Sequence, residues 1–508
     1  MSKQKETQRK LVEKYLAEHE LESTLQEILN NCVKERPTDP YIYLATALRE
    51  CSSTTTGIVS IVGRTVYDNR GVQTLVAEVT TGQGIFSASV PVADPEEDPQ
   101  GRGMAEMRDK DGSVTKAVAN INNIIAKVLV NMNPVDQDAI DGALIDLDGT
   151  DRFTKLGANA ILAVSMACCR AGAAEKDVPL YKHISELSAY DCVNLPVPFF
   201  NMIAGGKHAP NSQLNFQEFL AAPIYCKSFR EAMETGLKVY TALGKMLLEK
   251  YPDTFKLTDI NEQGAYCPPI DNALDAIQIL CEAISEAGAV DLMRVAIDVA
   301  ATSMKHAAGE EEEEEEEGAE PKQKYNLMYK MPEGEPQVMD SQSLSEYYND
   351  MFESFPEMIV SLEDPFGAED WDGFAKFTSD YGESIQVVGD ELIASNADMI
   401  LKCVEQQACN AVSLKIDQIA TVSDCIRASK AAKECGWGVC FAHRSGETSD
   451  TFLADIVAGT CAGQLKCGAP IRGERMAKFN RLLMLEEECQ DKKIDAAYCG
   501  VSYRLPPS

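Results

Sequence analysis

Residues 387–415, VVGDELIASNADMILKCVEQQACNAVSLK, contain two short apolar runs, each of which ends in a charged residue. Each run has the length of a buried parallel strand, and the residues between the runs have a helical pattern. The same unit recurs, with run ends at Asp298, Glu363, Asp390, Lys415, His443 and Lys466; the last five lie 23 to 28 residues apart. One such residue is usually a cap or a surface group, but six in register predict an α/β fold, a TIM-type barrel whose active site lies at the strand C-termini.

Three of these strand ends are carboxylates, Asp298, Glu363 and Asp390, and two are lysines, Lys415 and Lys466. Carboxylates that converge at a barrel mouth form an all-oxygen site, which suits a hard cation such as magnesium. A nearby divalent ion disfavours protonation of a lysine, so one of the two lysines is predicted to act as a general base. Removal of a proton α to a carboxylate needs such a base together with cationic stabilisation of the product.

Several long strings between Thr54 and about Glu488 carry a family resemblance: RTVYDNRG, LGANAILAVSMA, PVPFFNMIAGGKHA, FQEFLAAP, VSLEDPF, FAHRSGETSDTF and GQLKCGAPIRGER. They resemble enolase, the glycolytic phosphopyruvate hydratase, which converts 2-phosphoglycerate to phosphoenolpyruvate. The resemblance implies an enolase-type (β/α)8 TIM-like barrel preceded by an α+β capping domain.

The resemblance also implies a role for each matching residue. Asp298, Glu363 and Asp390 are expected to hold magnesium, and Lys415 to remove the C2 proton of 2-phosphoglycerate. The expected substrate contacts are Lys466 at the carboxylate, Arg444 and Ser445 at the phosphate, and His208, Gln217, Glu218 and His443 around the substrate and its leaving hydroxyl.

One departure from the family pattern affects the catalytic acid. Enolases carry a GDEGG turn whose glutamate helps the C3 hydroxyl to leave, and the corresponding turn here is NEQGA, residues 261–265. Gln263 stands in place of that glutamate, and an amide cannot give up a proton as a carboxylic acid does. Glu262 substitutes for the acid only if the turn slips by one residue.

Two further departures lie beside the predicted site. The first mobile loop reads VADPEEDPQGRGM, residues 92–104, where enolases have a GAST-type sequence whose serine binds a second magnesium. The four added acidic side chains predict that closure over a phosphate substrate is opposed. In LKIDQIAT, Asp417 and Ala420 stand where the family has asparagine and glycine.

Three domains are predicted: 1–53, 54–193 (strands, then helices) and 194–508. In the first, helical spacing from Leu11 to Val33 and a second helix after Asp39-Pro40 predict a hairpin that pairs with another copy. Residues 11–51 also resemble the dimerisation and docking motif of the protein kinase A regulatory subunit and its ciliary relatives. That resemblance implies a homodimer that binds an amphipathic helix of an anchoring protein; the alternative is a helical extension packed on the host domain.

Composition limits the partners. The chain has 47 basic and 80 acidic residues, a net charge of -33, which disfavours binding to nucleic acid and to anionic membranes. An acidic run, Glu310 to Glu317, lies in an insertion at about residues 306–324; it is interpreted as a solvated loop, with a tether for a basic partner as the alternative. Scattered cysteines without a signal peptide indicate a cytoplasmic protein.

Two functions are therefore expected. The first is an enolase-like lyase with magnesium and impaired turnover, brought to a cilium or flagellar axoneme by its docking hairpin. The second is a catalytically dead enolase fold that serves as a structural or scaffold protein of the axoneme.

Overall fold

The computed structural model describes residues 2–51, 57–93, 101–209, 212–306, 323–331 and 336–507. These form two compact units, Met1–Gly57 and Ile58–Ser508. The acidic run 310–317 lies outside the described residues, as do residues 94–100 of the predicted acidic loop. Within the described residues, no helix is long and apolar enough to cross a membrane.

The first unit is helical: α1 (Ser2–Glu18), α2 (Leu21–Glu35) and α3 (Pro40–Glu50). The sequence predicts one helix from Leu11 to Val33, whereas the chain breaks at Glu20, whose φ of 49° is left-handed and ends the α-helical ladder. Helices α2 and α3 form the predicted hairpin. The Asp39 side chain accepts hydrogen bonds from the backbone of Tyr41 at 2.9 Å and Ile42 at 3.1 Å, which caps α3 as its Asp-Pro start predicts.

The second unit opens with an antiparallel sheet in the order β1 (Ser60–Tyr67), β2 (Gln73–Thr81), β3 (Gly84–Ser89). The helices that follow are α4 (Thr115–Asn120), α5 (Ala126–Leu129), α6 (Gln137–Asp148), α7 (Ala158–Glu175) and α8 (Leu180–Leu187). Helix α7 is apolar on all sides and buried along most of its length, because the sheet covers one side of it and barrel helices cover another. The predicted α+β capping domain therefore has a shared core with the barrel.

The remaining elements in chain order are β4 (Val193–Leu195), β5 (Val197–Ala204), β6 (Glu218–Ala222), α9 (Phe229–Lys250), α10 (Ala273–Glu286), β7 (Arg294–Asp298), β8 (Lys324–Asn326), β9 (Val338–Asp340), α11 (Ser341–Ser354), β10 (Ile359–Glu363), α12 (Trp371–Tyr381), β11 (Gln386–Gly389), α13 (Ala397–Glu405), β12 (Ala411–Leu414), α14 (Ile416–Ile419), α15 (Val422–Glu434), β13 (Gly438–Ala442), α16 (Phe452–Gly459), β14 (Gly463–Lys466), α17 (Gly473–Lys492) and β15 (Ala496–Tyr498). The predicted boundary at residues 193 and 194 falls in β4, which pairs with β15.

Strands β5, β6, β7 and β10 to β14 form a closed barrel, which confirms the predicted fold. Neighbouring strands are parallel except β6, which is antiparallel to both β5 and β7. A uniform series of strand-helix units does not predict this reversed strand. Its consequence is that β6 begins at the face where the parallel strands end, so Glu218, its first residue, pairs in register with Asp298.

Candidate active site

A single cavity at the C-terminal face of the barrel collects most of the residues predicted from the sequence. It is lined by His208, Gln217, Glu218, Gln263, Asp298, Asp390, Lys415, His443, Ser445 and Lys466. Each comes from the end of a barrel strand, from the start of the reversed strand β6, or from a loop at that face. Three predicted residues do not line this cavity: Glu262, Glu363 and Arg444.

Lys466 is the centre of a buried charge cluster. Its Nζ lies 2.5 Å from Asp298 Oδ2, 3.0 Å from Glu363 Oε2 and 3.4 Å from Glu218 Oε2. Glu363 therefore touches the cluster although it does not line the cavity. Burial would lower the pKa of Lys466, but the three carboxylates raise it well above its usual value. Burial raises the pKa of Glu363 to about 8, against the opposing effect of Lys466.

Lys415, the predicted base, is also buried and lies beside a carboxylate. Its Nζ is 2.6 Å from Asp390 Oδ2. Asp364 holds the backbone after β11, where Asp390 lies, by accepting hydrogen bonds from the backbone of Asp390 and Glu391, both at 2.9 Å. Asp364 was not singled out from the sequence. Asp364 directly follows Glu363 in the string VSLEDPF, so its place beside a predicted ligand was the available signal.

The predicted magnesium ligands can be tested against the chemistry of their oxygen atoms. Glu363 Oε1 and Asp390 Oδ1 are buried without a hydrogen-bond partner among the described residues. Buried carboxylate oxygens of this kind fit a hard cation. In the described part of the chain, however, no group of three or more His, Cys, Asp or Glu side chains is arranged to hold a metal ion. The ammonium group of Lys466 instead lies against Asp298 and Glu363.

The turn that carries Gln263 and Glu262 directs the two side chains differently. Asn261 Oδ1 accepts hydrogen bonds from the backbone of Gln263 at 3.0 Å and Ala265 at 3.1 Å, which fixes the turn. Gln263 lines the cavity, accepts from Asn201 Nδ2 at 3.0 Å and lies near enough to Glu218 to oppose the rise of that carboxyl group's pKa. Glu262 lies 3.4 Å from His208 Nδ1. Burial would raise its pKa, but the hydrogen bond with His208 and the charges nearby lower it overall.

Two family models match this part of the chain. The model "Enolase, N-terminal domain" matches residues 58–184, and the model "Enolase, C-terminal TIM barrel domain" matches residues 192–505. The chain belongs to the enolase family. Both matches exclude the N-terminal helical unit.

Arg444 is one of the two residues predicted to contact the substrate phosphate. It lies in a small neighbouring cavity that shares Ala442 with the main one. Its Nε is 3.1 Å from Asp417 Oδ2. Ser445, the other predicted phosphate contact, lines the main cavity and lies 3.3 Å from His208 Nδ1. The structure thus separates two residues that the resemblance assigns to the same group of the substrate.

A fully buried arginine, Arg475, holds the loop that follows β13 in this enolase barrel. It donates to the backbone oxygens of Arg444 at 2.7 Å and Ser445 at 2.8 Å, and its Nη1 lies 2.5 Å from His443 Nδ1. Burial, with Arg475 and three lysines, holds the pKa of His443 well below its usual value, so this imidazole is neutral. Arg475 ends the matched string GQLKCGAPIRGER but was not singled out, because its role depends on a contact distant in sequence.

Proposed function

We propose that this protein is an enolase-like lyase that interconverts 2-phosphoglycerate and phosphoenolpyruvate with magnesium, and that loss of the leaving hydroxide limits its turnover. The proposal rests on the side chains that line one cavity. This cavity has the lysine and carboxylates needed for proton removal, and an amide, Gln263, where the family has its acid.

Proton removal is assigned to Lys415. Its contact with Asp390 positions Nζ at the cavity wall, and both side chains are buried. Magnesium, held by Asp298, Glu363 and Asp390, would supply the positive charge that stabilises an enediolate. Lys466 must then turn from these carboxylates towards the carboxylate of the substrate.

Departure of the C3 hydroxide is the step without adequate support. Gln263 can donate a hydrogen bond but not a proton, and hydroxide is a poor leaving group without one. General acid assistance contributes typically about 10²–10⁴ in rate. Glu218 lies beside Gln263 in the cavity. Burial raises its pKa against the opposing charge of Lys466, so Glu218 is the carboxyl group near Gln263 that could still hold a proton.

Isotope exchange tests the proposal because it separates the two steps. The protein is incubated with 2-phosphoglycerate and magnesium in deuterated water, and proton NMR follows both rates. We expect the C2 proton to exchange faster than phosphoenolpyruvate accumulates. Lys415→Ala should abolish the exchange. Wild-type turnover within the usual enzyme range of about 1–10³ per second, with exchange no faster than product formation, would show that the acid is not missing.

A second candidate function, a tethered scaffold, is favoured by the surface of the N-terminal unit. Helix α2 exposes Leu25, Leu29 and Val33 at 49%, 53% and 65%, spaced four residues apart along one stripe. Tyr41 and Ile42 on α3 are also exposed. Exposed apolar stripes of this kind are typical of helices that pair with another helix.

We propose that this stripe pairs with a second copy of the chain and binds an amphipathic helix of an anchoring protein. Such a tether would hold a cytoplasmic enolase-like protein at a cilium or axoneme, whether or not the protein turns over substrate. The isotope-exchange experiment distinguishes the functions: a scaffold without catalysis shows neither exchange nor product.

A further inference from the structure

A buried ion pair, Arg444 with Asp417, lines the small cavity beside the active site. Arg444 Nε and Asp417 Oδ2 are 3.1 Å apart, and the two side chains are 2% and 9% exposed. Asp417 lies on α14, two residues beyond the predicted base Lys415, and Arg444 follows β13. Because β12 and β13 are parallel neighbours, the loops after them bring these two side chains together.

The backbone around Arg444 is fixed by other contacts, so the side chain cannot easily follow a ligand. The Arg444 amide donates to Glu447 Oε1 at 3.2 Å, and its carbonyl accepts from Arg475 at 2.7 Å. A guanidinium binds phosphate best as a two-pronged fork. Here the Nε edge of that fork faces a carboxylate.

The other charged side chains that line this small cavity are already paired. Around the same cavity Glu447 pairs with Lys478 and Asp450 pairs with Arg170, both at 2.7 Å. In the main cavity, Lys415 and Lys466 already contact carboxylates. A phosphate dianion that binds Arg444 must either displace Asp417 or lie close to its negative charge, and both are unfavourable in a buried site.

We infer that Asp417 is a specificity-determining residue of this site: it acts as an internal counter-ion of Arg444 and weakens the binding of phosphate esters. The inference rests on the proposed function, since it concerns the phosphate end of the same substrate. Asparagine, which the family has here, has the same shape and no charge, so it leaves the guanidinium available.

The experiment compares wild type with Asp417→Asn by isothermal titration calorimetry in magnesium buffer. The probes are inorganic phosphate and 2-phosphoglycerate. We expect Asp417→Asn to lower the dissociation constant for phosphate at least tenfold, which corresponds to about 1.4 kcal/mol. Asp253→Asn removes the same charge from an exposed loop position and should change it less than twofold. An unchanged dissociation constant in folded Asp417→Asn would overturn the inference.

The Arg444→Gln background provides the second test. If Asp417 acts through Arg444, the gain from Asp417→Asn should vanish there, as in a double-mutant cycle. Asp417→Asn leaves a buried arginine with less compensation, so its thermal unfolding is measured first. If it does not fold, Arg444→Gln alone decides: a loss of phosphate affinity below tenfold supports a neutralised arginine, and a hundredfold loss overturns it.

Failure of this inference can be told apart from failure of the proposed function. Phosphate titration reports on Asp417 and Arg444 without any reaction. If wild type exchanges the C2 proton of 2-phosphoglycerate but Asp417→Asn binds phosphate no better, only the inference fails. If Asp417→Asn binds phosphate more tightly but wild type and this variant show no exchange, the proposed function fails and the counter-ion role stands.

Discussion

Under the proposed function, Gln263 stands in place of the family's glutamate, from which it differs only by an amide in place of a carboxyl group. The structure keeps this side chain in the cavity, between Asn201 and Glu218, so the change affects chemistry rather than position. A carboxyl group at this point would lie beside Glu218 in the same cavity. Two carboxyl groups in contact cannot both ionise, and the shared proton raises the pKa of one of them. That raised pKa is what a general acid near neutral pH needs.

Gln263→Glu is therefore expected to restore the acid. Formation of phosphoenolpyruvate should rise by up to about 10²–10⁴, the usual contribution of general acid catalysis. The rate is measured with saturating 2-phosphoglycerate and magnesium by the absorbance of the enol product. C2 exchange should change much less, because Lys415 is unaltered.

Glu262→Gln is the matched control for that prediction. Glu262 pairs with His208 and its pKa is lowered, so it is ionised at neutral pH and cannot act as the acid. Its replacement should leave the residual product rate within about twofold. The opposite result, loss of product with Glu262→Gln and no gain with Gln263→Glu, would mean that Glu262 is the acid.

At the same scale, the sequence predicts some site residues better than others. Asp298, Asp390, Lys415 and Lys466 were predictable because each ends an apolar run, and parallel strands bring such ends to one face. The pairing of Arg444 with Asp417 was not, since it depends on how two separate loops fold. A local pattern contains no information about contacts of that kind.

The reversed strand β6 and the break between α1 and α2 show where pattern alone fails for elements. A short buried strand has the same apolar sequence in either direction, so the direction of β6 is set by its neighbours. The break at Glu20 lies in a stretch whose apolar spacing continues on both sides. The hairpin turn before Pro40, in contrast, was predictable because Asp-Pro is a helix start with a physical cause.

The apolar stripe of α2 gives a prediction at this scale. Ile28 and Cys32 are buried within the unit, but Leu25 and Leu29 are not. Replacing both exposed leucines by aspartate should raise the concentration at which the full chain self-associates by well over tenfold. In the proposed dimer each leucine becomes buried, and burial of a leucine side chain contributes about 1.5–3 kcal/mol. Sedimentation equilibrium of the full chain measures this.

Asn31→Asp is the control for the stripe, since it introduces a charge at an exposed position on the opposite side of α2. It should leave self-association nearly unchanged. If the double aspartate variant associates as wild type does, the stripe is not the interface and the tethering proposal loses its main support.

At the scale of the whole molecule, the acidic balance and the site share one consequence. The net charge of -33 makes the protein attract cations, and burial of carboxylates in the barrel makes a specific cation site stabilising. Non-specific attraction is screened, so it weakens as ionic strength rises and does not depend on any single buried carboxylate. A specific site depends on which cation is present and on which carboxylate holds it.

Magnesium should therefore raise the thermal stability of the barrel by more than sodium chloride of equal ionic strength does. Ligand linkage predicts about 2.7 kcal/mol at a concentration 100 times the dissociation constant. Asp390 supplies one of the buried oxygens that have no hydrogen-bond partner among the described residues, so Asp390→Asn should remove most of this magnesium-specific gain. Asp253→Asn, which removes a surface charge, should keep it. Unfolding is followed by calorimetry with magnesium titrated from zero. An equal effect of magnesium on wild type and Asp390→Asn would leave only surface screening as the cause, and the carboxylates at the barrel mouth would then not be metal ligands.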